Sequence, residues 1–169
     1  MGTVFWITGL SGAGKTTIGS LFYEKLKEQQ PNTVFFDGDT LRKVFGDDLG
    51  YSEEDRRKCA MRYSKLCQLL QEQEMNVVCC TISMFDSIRE WNREHIADYK
   101  EVYVKVSMDI LQARNQKDLY SNAAKGMDNE VAGIQVEIEF PKKPDLILEN
   151  DGGKTPEEQV EEMCRIFLI

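Results

Sequence analysis

Five runs of the chain are apolar almost throughout: TVFWIT (3–8), TVFFD (33–37), NVVCCT (76–81), EVYVKV (101–106) and DLILE (145–149). Continuous rather than alternating hydrophobicity predicts strands covered on both faces, as in a parallel sheet. Between them the spacing becomes helical. Ile18, Leu21, Phe22 and Leu26 recur on one face. In SEEDRRKCAMRYSKLCQLLQEQ, Ser52 stands three residues before Asp55 as a helix start, and Cys59, Tyr63, Leu66, Cys67 and Leu70 share a face. TPEE opens a last helix, with Thr155 as cap, Pro156 in the first turn and Glu158 completing a capping box. This strand–helix alternation predicts an α/β fold, a doubly wound five-stranded parallel sheet with right-handed crossovers. The polar stretch from about Asn115 to Pro144, containing KGMDNE, shows no sustained period. It is read either as a mobile lid or as a surface excursion.

The chain's 169 residues suit one domain, 1–169, around one core. A hydrophobic content of 41% with 30% charged residues belongs to an ordinary globular protein. The net charge of −8 argues against a nucleic-acid polymer as partner, because that requires a basic face to displace counterions. A small anionic substrate remains compatible if its basic contacts are concentrated locally. Five scattered cysteines without metal-ligand spacing fit a reducing, cytoplasmic setting. The start MGTVFW lacks a basic n-region and has Trp6 where a myristoylation motif wants Ser or Thr. No apolar run is long enough to cross a bilayer, so no membrane association is expected.

The chemistry begins in GLSGAGKTT, Gly9 to Thr17, directly after the first strand. Gly9, Gly14, Lys15 and Thr16 satisfy G-x-x-x-x-G-K-S/T between a strand and an amphipathic helix, the context this motif requires. Backbone N–H groups of Ser11, Gly12, Ala13 and Gly14, and of Lys15, Thr16 and Thr17 beyond them, would wrap the phosphates. The following helix points its positive end at them. Lys15 reaches the β- and γ-phosphates of ATP, and the Thr16 hydroxyl holds Mg²⁺. A GTPase switch finds two decoys, DDLG at 47–50 and NQKD at 115–118. The first ends a helical stretch instead of a strand, and the second has its lysine third where guanine reading wants it second. Transfer to an acceptor therefore ranks above a switch or a bare ATPase.

FFDGDTLR places Asp37 at the carboxyl end of the second strand and Asp39 two residues on. Ligands of open α/β sheets lie there. One carboxylate would orient Mg²⁺ and the other would take or align the acceptor hydroxyl's proton. The competing reading makes Asp39 the cap of a helix beginning at Thr40. Arg56, one turn before Cys59, is expected to point inward toward an anion, and Arg42 and Arg89 follow strand ends, so the three could fork around an acidic acceptor. His95, the only histidine, reads as a surface residue.

GLSGAGKTT, DGDTLR, LGYSEEDR, TISMF, EVYVKV, RNQKDLY and FPKKPDL stand in the order and spacing of the adenylylsulfate (APS) kinases, so the chain resembles that family from about Thr3 to Leu148. The resemblance implies a P-loop kinase using ATP and Mg²⁺ to phosphorylate the ribose 3'-hydroxyl of a nucleotide with a 5' mixed anhydride. It also implies a homodimer and a lid over roughly 114–133. By position, Asp37 and Asp39 become the metal and catalytic carboxylates, and Ser83 the active-site serine. Arg42, Arg56 and Arg89 become acceptor contacts, and Arg114 and Lys117 the lid's ATP-side cations. Lys117 also joins the acceptor set with Ile82, Phe85, Gly133 and Ile134. The departures fall mainly on that side, although the lid's R-D-P-K-G-L-Y also reads RNQKDLY. The family's D-R-x-E-N reads DRRKC, putting Cys59 in place of Asn; I-S-P-F reads ISMF, with Met84 for Pro; and F-T-G-I reads VAGI, with Val131 for a Phe that stacks on adenine, while Tyr51 remains. Losing one base–aromatic stack costs about 1–3 kcal/mol. A branch resembling this family acts on cytidine diphosphoramidate in capsule modification, and a non-APS nucleotide acceptor such as that one is expected. APS is the alternative, and a non-catalytic nucleotide switch the remote one.

Overall fold

The computed structural model describes residues 1–114 and 137–169. Five parallel strands, β1 (Val4–Thr8), β2 (Thr33–Asp37), β3 (Asn76–Thr81), β4 (Tyr99–Lys105) and β5 (Leu146–Glu149), form one sheet in the order β2-β3-β1-β4-β5. The described helices are α1 (Lys15–Gln29), α2 (Gly38–Val44), α3 (Glu53–Glu72), α4 (Asp86–His95), α5 (Met108–Arg114) and α6 (Pro156–Phe167). The chain is thus α/β with a five-stranded parallel sheet, as its hydrophobic pattern predicts.

The unbroken apolar runs are explained by two cores. Successive side chains of a strand point to opposite faces. Phe5 and Ile7 of β1 with Val78 and Cys80 of β3 face Ile18, Phe22 and Leu26 of α1 and Val160 and Met163 of α6. Val4 and Trp6 with Val77 and Cys79 face Cys59, Ala60, Tyr63 and Cys67 of α3 and Ile88 of α4. Every residue of β1 and β3 is buried. The two edge strands depart from the expectation of full cover: β2 is buried only at Thr33, and β5 alternates, leaving Ile147 46% exposed. An edge strand has a neighbour on one side only, so less of it is covered.

Local signals set the helix starts. The Ser52 hydroxyl accepts from Asp55 N–H at 3.2 Å, and Thr155 and Glu158 form the reciprocal capping box. On α1, a Cβ at Gly19 would collide with the Cys80 sulfur of β3, so only glycine lets the helix seat this closely on the sheet. The pattern missed α4 and α5, and β4 begins two residues earlier than its apolar run, at Tyr99. His95 lies at the surface, stacked on Trp91 at 4.3 Å between ring centroids. No helix among the described residues is long and apolar enough to cross a membrane.

Candidate active site

The carboxyl ends of β1, β2 and β3 bring three segments of the sequence together. The loop after β1 turns into α1 through Gly14, whose φ of 97° is left-handed. A Cβ there would also lie 2.6 Å from Asn150 Nδ2, so glycine is required twice over. Lys15 is buried to 9% exposure and its Nζ donates to Leu10 O at 2.8 Å, which lays the ammonium across the loop. Thr16 and Thr17 lie exposed at the first turn of α1. Asn150, just past β5, donates to Ala13 O at 2.8 Å and braces the loop from behind. Arg114, at the end of α5, donates to Gly12 O at 3.4 Å and to Asn150 O at 2.5 Å, so it stands beside the loop. Lys117, Val131, Gly133 and Ile134 lie outside the described residues, as do the decoy NQKD and the expected lid beyond Arg114.

The Thr16 hydroxyl donates to Asp37 Oδ2 at 2.7 Å, joining the loop to β2. Asp37 Oδ1 accepts from the N–H groups of Asp39 and Thr40 at 2.9 and 3.3 Å. Asp37, and not Asp39, is therefore the cap, and the helix starts at Gly38 instead of Thr40. Asp39 is exposed on the first turn of α2. The Thr16–Asp37 pair supplies hard oxygen donors of the kind Mg²⁺ takes, and no cluster of three His, Cys, Asp or Glu exists among the described residues. Two such oxygens are what Mg²⁺ takes from a protein where phosphates and water complete its shell.

The turn after β3 is the third segment. Ser83 is buried, has a φ of 32°, and its hydroxyl lies 2.6 Å from Thr81 Oγ1. A non-glycine residue in the left-handed region costs energy and marks a backbone held by its surroundings. Thr8 at the end of β1 donates to Ile82 O and lies 3.3 Å from Met84 Sδ. Met84 and Phe85 are buried, so Met84 fills the space between this turn and β1.

By their contacts the arginines fall into two groups, Arg42 and Arg56 at Tyr51 and Arg89 at Asp86 and Glu139. Arg42 donates to Leu49 O and Gly50 O at 2.6 and 2.9 Å, and its guanidinium lies 4.3 Å from the Tyr51 ring centroid. Arg56 donates to Tyr51 O at 2.8 Å and lies 5.4 Å from the same ring. It is half-buried and does not point into the core as expected. Side chains lean toward a helix's N-terminus, so this one, in the first turn of α3, reaches back over the preceding loop. Arg89 is only 4% exposed, on Asp86 and Glu139 O, with Glu101 Oε1 at 4.0 Å; its Nη1 has no hydrogen-bond partner among the described residues. Burial holds the Glu101 carboxyl above its usual range, against the pull of Arg93 and Arg89. Cys59 is buried beside Tyr63, whose hydroxyl donates to Gly38 O at 3.0 Å. Burial, with Cys59 adding to it, pushes the Tyr63 phenol well up and keeps it neutral.

Sequence reasoning missed Asn150, Arg57 and Glu139. Asn150 carried a signal, its place at the carboxyl end of a strand. Arg57 stacks on Phe85 at 4.2 Å and donates to Ser87 Oγ at 3.0 Å, contacts that join residues 30 positions apart and leave no local trace.

The model of the adenylylsulphate kinase family matches residues 1–149. The chain is 39% identical over 158 residues to a cytidine diphosphoramidate kinase of Campylobacter jejuni, covering 94% of this chain and 92% of that one. It is 36% identical over 159 residues to an adenylyl-sulfate kinase of Bacillus velezensis, covering 93% and 80%. Among solved structures, the APS kinase of Mycobacterium tuberculosis in complex with AMPPNP and APS superposes with a TM-score of 0.90 at 31% identity, covering 99% and 98%. With this loop, these carboxylates and these relatives, the chain belongs to the adenylylsulfate kinase family and is a phosphotransferase.

Proposed function

We propose that the protein transfers the γ-phosphoryl group of ATP to the ribose 3'-hydroxyl of a nucleotide bearing a 5' mixed anhydride, with cytidine diphosphoramidate preferred over APS. The bond from γ-phosphorus to the ADP oxygen breaks as the bond to the 3'-oxygen forms, and the hydroxyl proton passes to a carboxylate. Mg²⁺ held by Thr16 and Asp37 would neutralise phosphate charge. Lys15 and the loop's N–H groups stabilise the charge that develops on the transferred group. The hydrogen bonds of Asp37 to the α2 amides and to Thr16 place it beside the phosphate loop and support reading it as the metal-side carboxylate, with Asp39, on the first turn of α2, as the one that aligns the acceptor hydroxyl. Ser83, on its strained turn, faces the same space in this reading.

The observation that carries the acceptor preference is Cys59. A buried thiol packed beside Tyr63 stands where the family's pattern has an amide, so the hydrogen bonds of an Asn are absent from that position. A position without a polar partner gives up that hydrogen bond and so tilts the preference, by a small factor, away from the ligand that needs it. APS remains the second reading, supported by the Arg42–Tyr51–Arg56 stack, which suits a purine, and by the fit to an APS-bound structure. The free state of all five cysteines supports a cytoplasmic location. Exposed Val44, Phe45 and Leu69 support a homodimer, testable as a solution mass of twice 19.4 kDa.

The deciding experiment measures acceptor-dependent ADP release with cytidine diphosphoramidate, APS and related 5'-nucleotides. The expected result is the higher kcat/KM for cytidine diphosphoramidate. APS turning over best by a wide margin overturns the preference, and ATP binding without acceptor-dependent ADP release overturns the kinase reading.

A further inference from the structure

Helix α4 begins without a cap of its own. Its N-cap residue is Phe85, which has no side-chain acceptor for the first amides. The missing acceptor comes from another part of the chain. Glu139 Oε2 accepts from Asp86 N–H at 2.8 Å, which also sets a carboxylate at the positive end of α4. The backbone of Glu139 grips the same turn from both sides. Its N–H donates to Met84 O at 3.0 Å, and its carbonyl accepts from Arg89 Nη2. Arg57 lies 3.8 Å from Glu139 Oε2 while it donates to Ser87 Oγ and covers the Phe85 ring. Residues 84 to 89 are thus fastened to Glu139 by three polar groups of one residue. Directly before them stands Ser83, buried and left-handed. Such a conformation persists only where the surroundings over-determine it.

We propose that Glu139 is a positioning residue for the acceptor site: its carboxylate, by capping α4, fixes the Ser83–Asp86 turn and so the direction in which Ser83 is presented. The inference rests on the reading that this turn faces the acceptor nucleotide. Glu139 touches no reacting atom. The carboxylate is the only part of the grip that substitution removes, because the two backbone hydrogen bonds remain, so the effect falls on the turn's precision and leaves the sheet intact.

The test compares Glu139→Ala, Glu139→Gln and the unaltered protein. Five quantities are measured: acceptor KM and kcat at saturating ATP, the Kd for AMPPNP, the melting temperature, and amide hydrogen exchange at residues 86–89. Glu139→Ala is expected to raise acceptor KM about tenfold, the scale of one charge-assisted hydrogen bond. The AMPPNP Kd should stay within about twofold, since the phosphate loop is not part of this network. Glu139→Gln should recover most of the loss, because its amide oxygen still accepts from Asp86 N–H. Equal losses on both substrates, no change in acceptor KM, or a Gln variant as impaired as Ala each overturn the proposal. If the unaltered protein turns over no such nucleotide, the functional reading fails on its own. Exchange then still decides the cap: faster exchange at 86–89 in Glu139→Ala upholds it, and unchanged exchange removes it.

Discussion

Thr16 Oγ1 and Asp37 Oδ2 lie 2.7 Å apart, which joins the first turn of α1 to the end of β2. The same carboxylate caps α2 through its other oxygen. A structural and a chemical duty therefore meet on one side chain, and substitution can separate them.

Asp37→Asn keeps a good helix cap but removes the charge. Its melting temperature and ATP affinity should stay near those of the unaltered protein while kcat falls by about 100-fold or more, the scale of losing one preorganised group that offsets charge developing in the transition state. Asp37→Ala should in addition lose about 1 kcal/mol of stability from the uncapped α2. Equal losses in ATP binding and turnover for the Asn variant would make Asp37 purely structural. Chemical denaturation and steady-state kinetics give the two numbers.

Lys15→Ala should lower kcat by about 100- to 1000-fold, the magnitude of one preorganised donor to developing charge. Its circular dichroism should not change, because Nζ lies across the loop on Leu10 O and not within either core. Retained turnover would remove Lys15 from the mechanism.

Gly14→Ala meets both a left-handed backbone and the Asn150 amide. The backbone alone costs about 1–2 kcal/mol, and a crowded loop should also bind AMPPNP more weakly. Asn150→Ala removes the colliding atoms, so the double variant should be less destabilised than the sum of the single ones. Strict additivity in denaturation measurements would show that the two positions do not touch.

The Lys142 ammonium, hydrogen-bonded to Asp86, is the main reason that this carboxyl lies below its usual range, with Arg89 assisting against partial burial. A carboxyl with a depressed folded pKa adds stability above its unfolded value, near 3.8, and that contribution is lost as pH falls through the folded value. Lys142→Met should move the Asp86 titration upward by carbon NMR. The stability gap between the two proteins should be open at pH 6 and close as the pH falls below the unfolded value through the depressed folded one, staying small throughout because Lys142 is exposed. An unmoved Asp86 titration would assign its shift to Arg89 alone.

The apolar runs predict the strands well because a sheet with two cores needs hydrophobic residues at every position, and β2 and β3 match their runs residue for residue. The phosphate loop is equally legible, since its chemistry is local and its residues adjacent. Edge exposure in β5 left no such sign, because Leu-Ile-Leu reads alike whether one face or two are covered. Arginine orientation was the least legible feature. Arg56 turns on the lean of side chains toward a helix start, and Arg89 on partners at Glu101 and Glu139, distant in sequence. The Glu139 grip is invisible in one dimension for the same reason.

Gly19 carries the last consequence. With α1 pressed against Cys80 at that point, any side chain at position 19 would have to push the helix off β3 or displace the thiol. A bulkier residue at this position would lift the helix and carry with it the end where the loop turns into α1 through Gly14, so the loop would lose its seat through a change made four residues inside the helix.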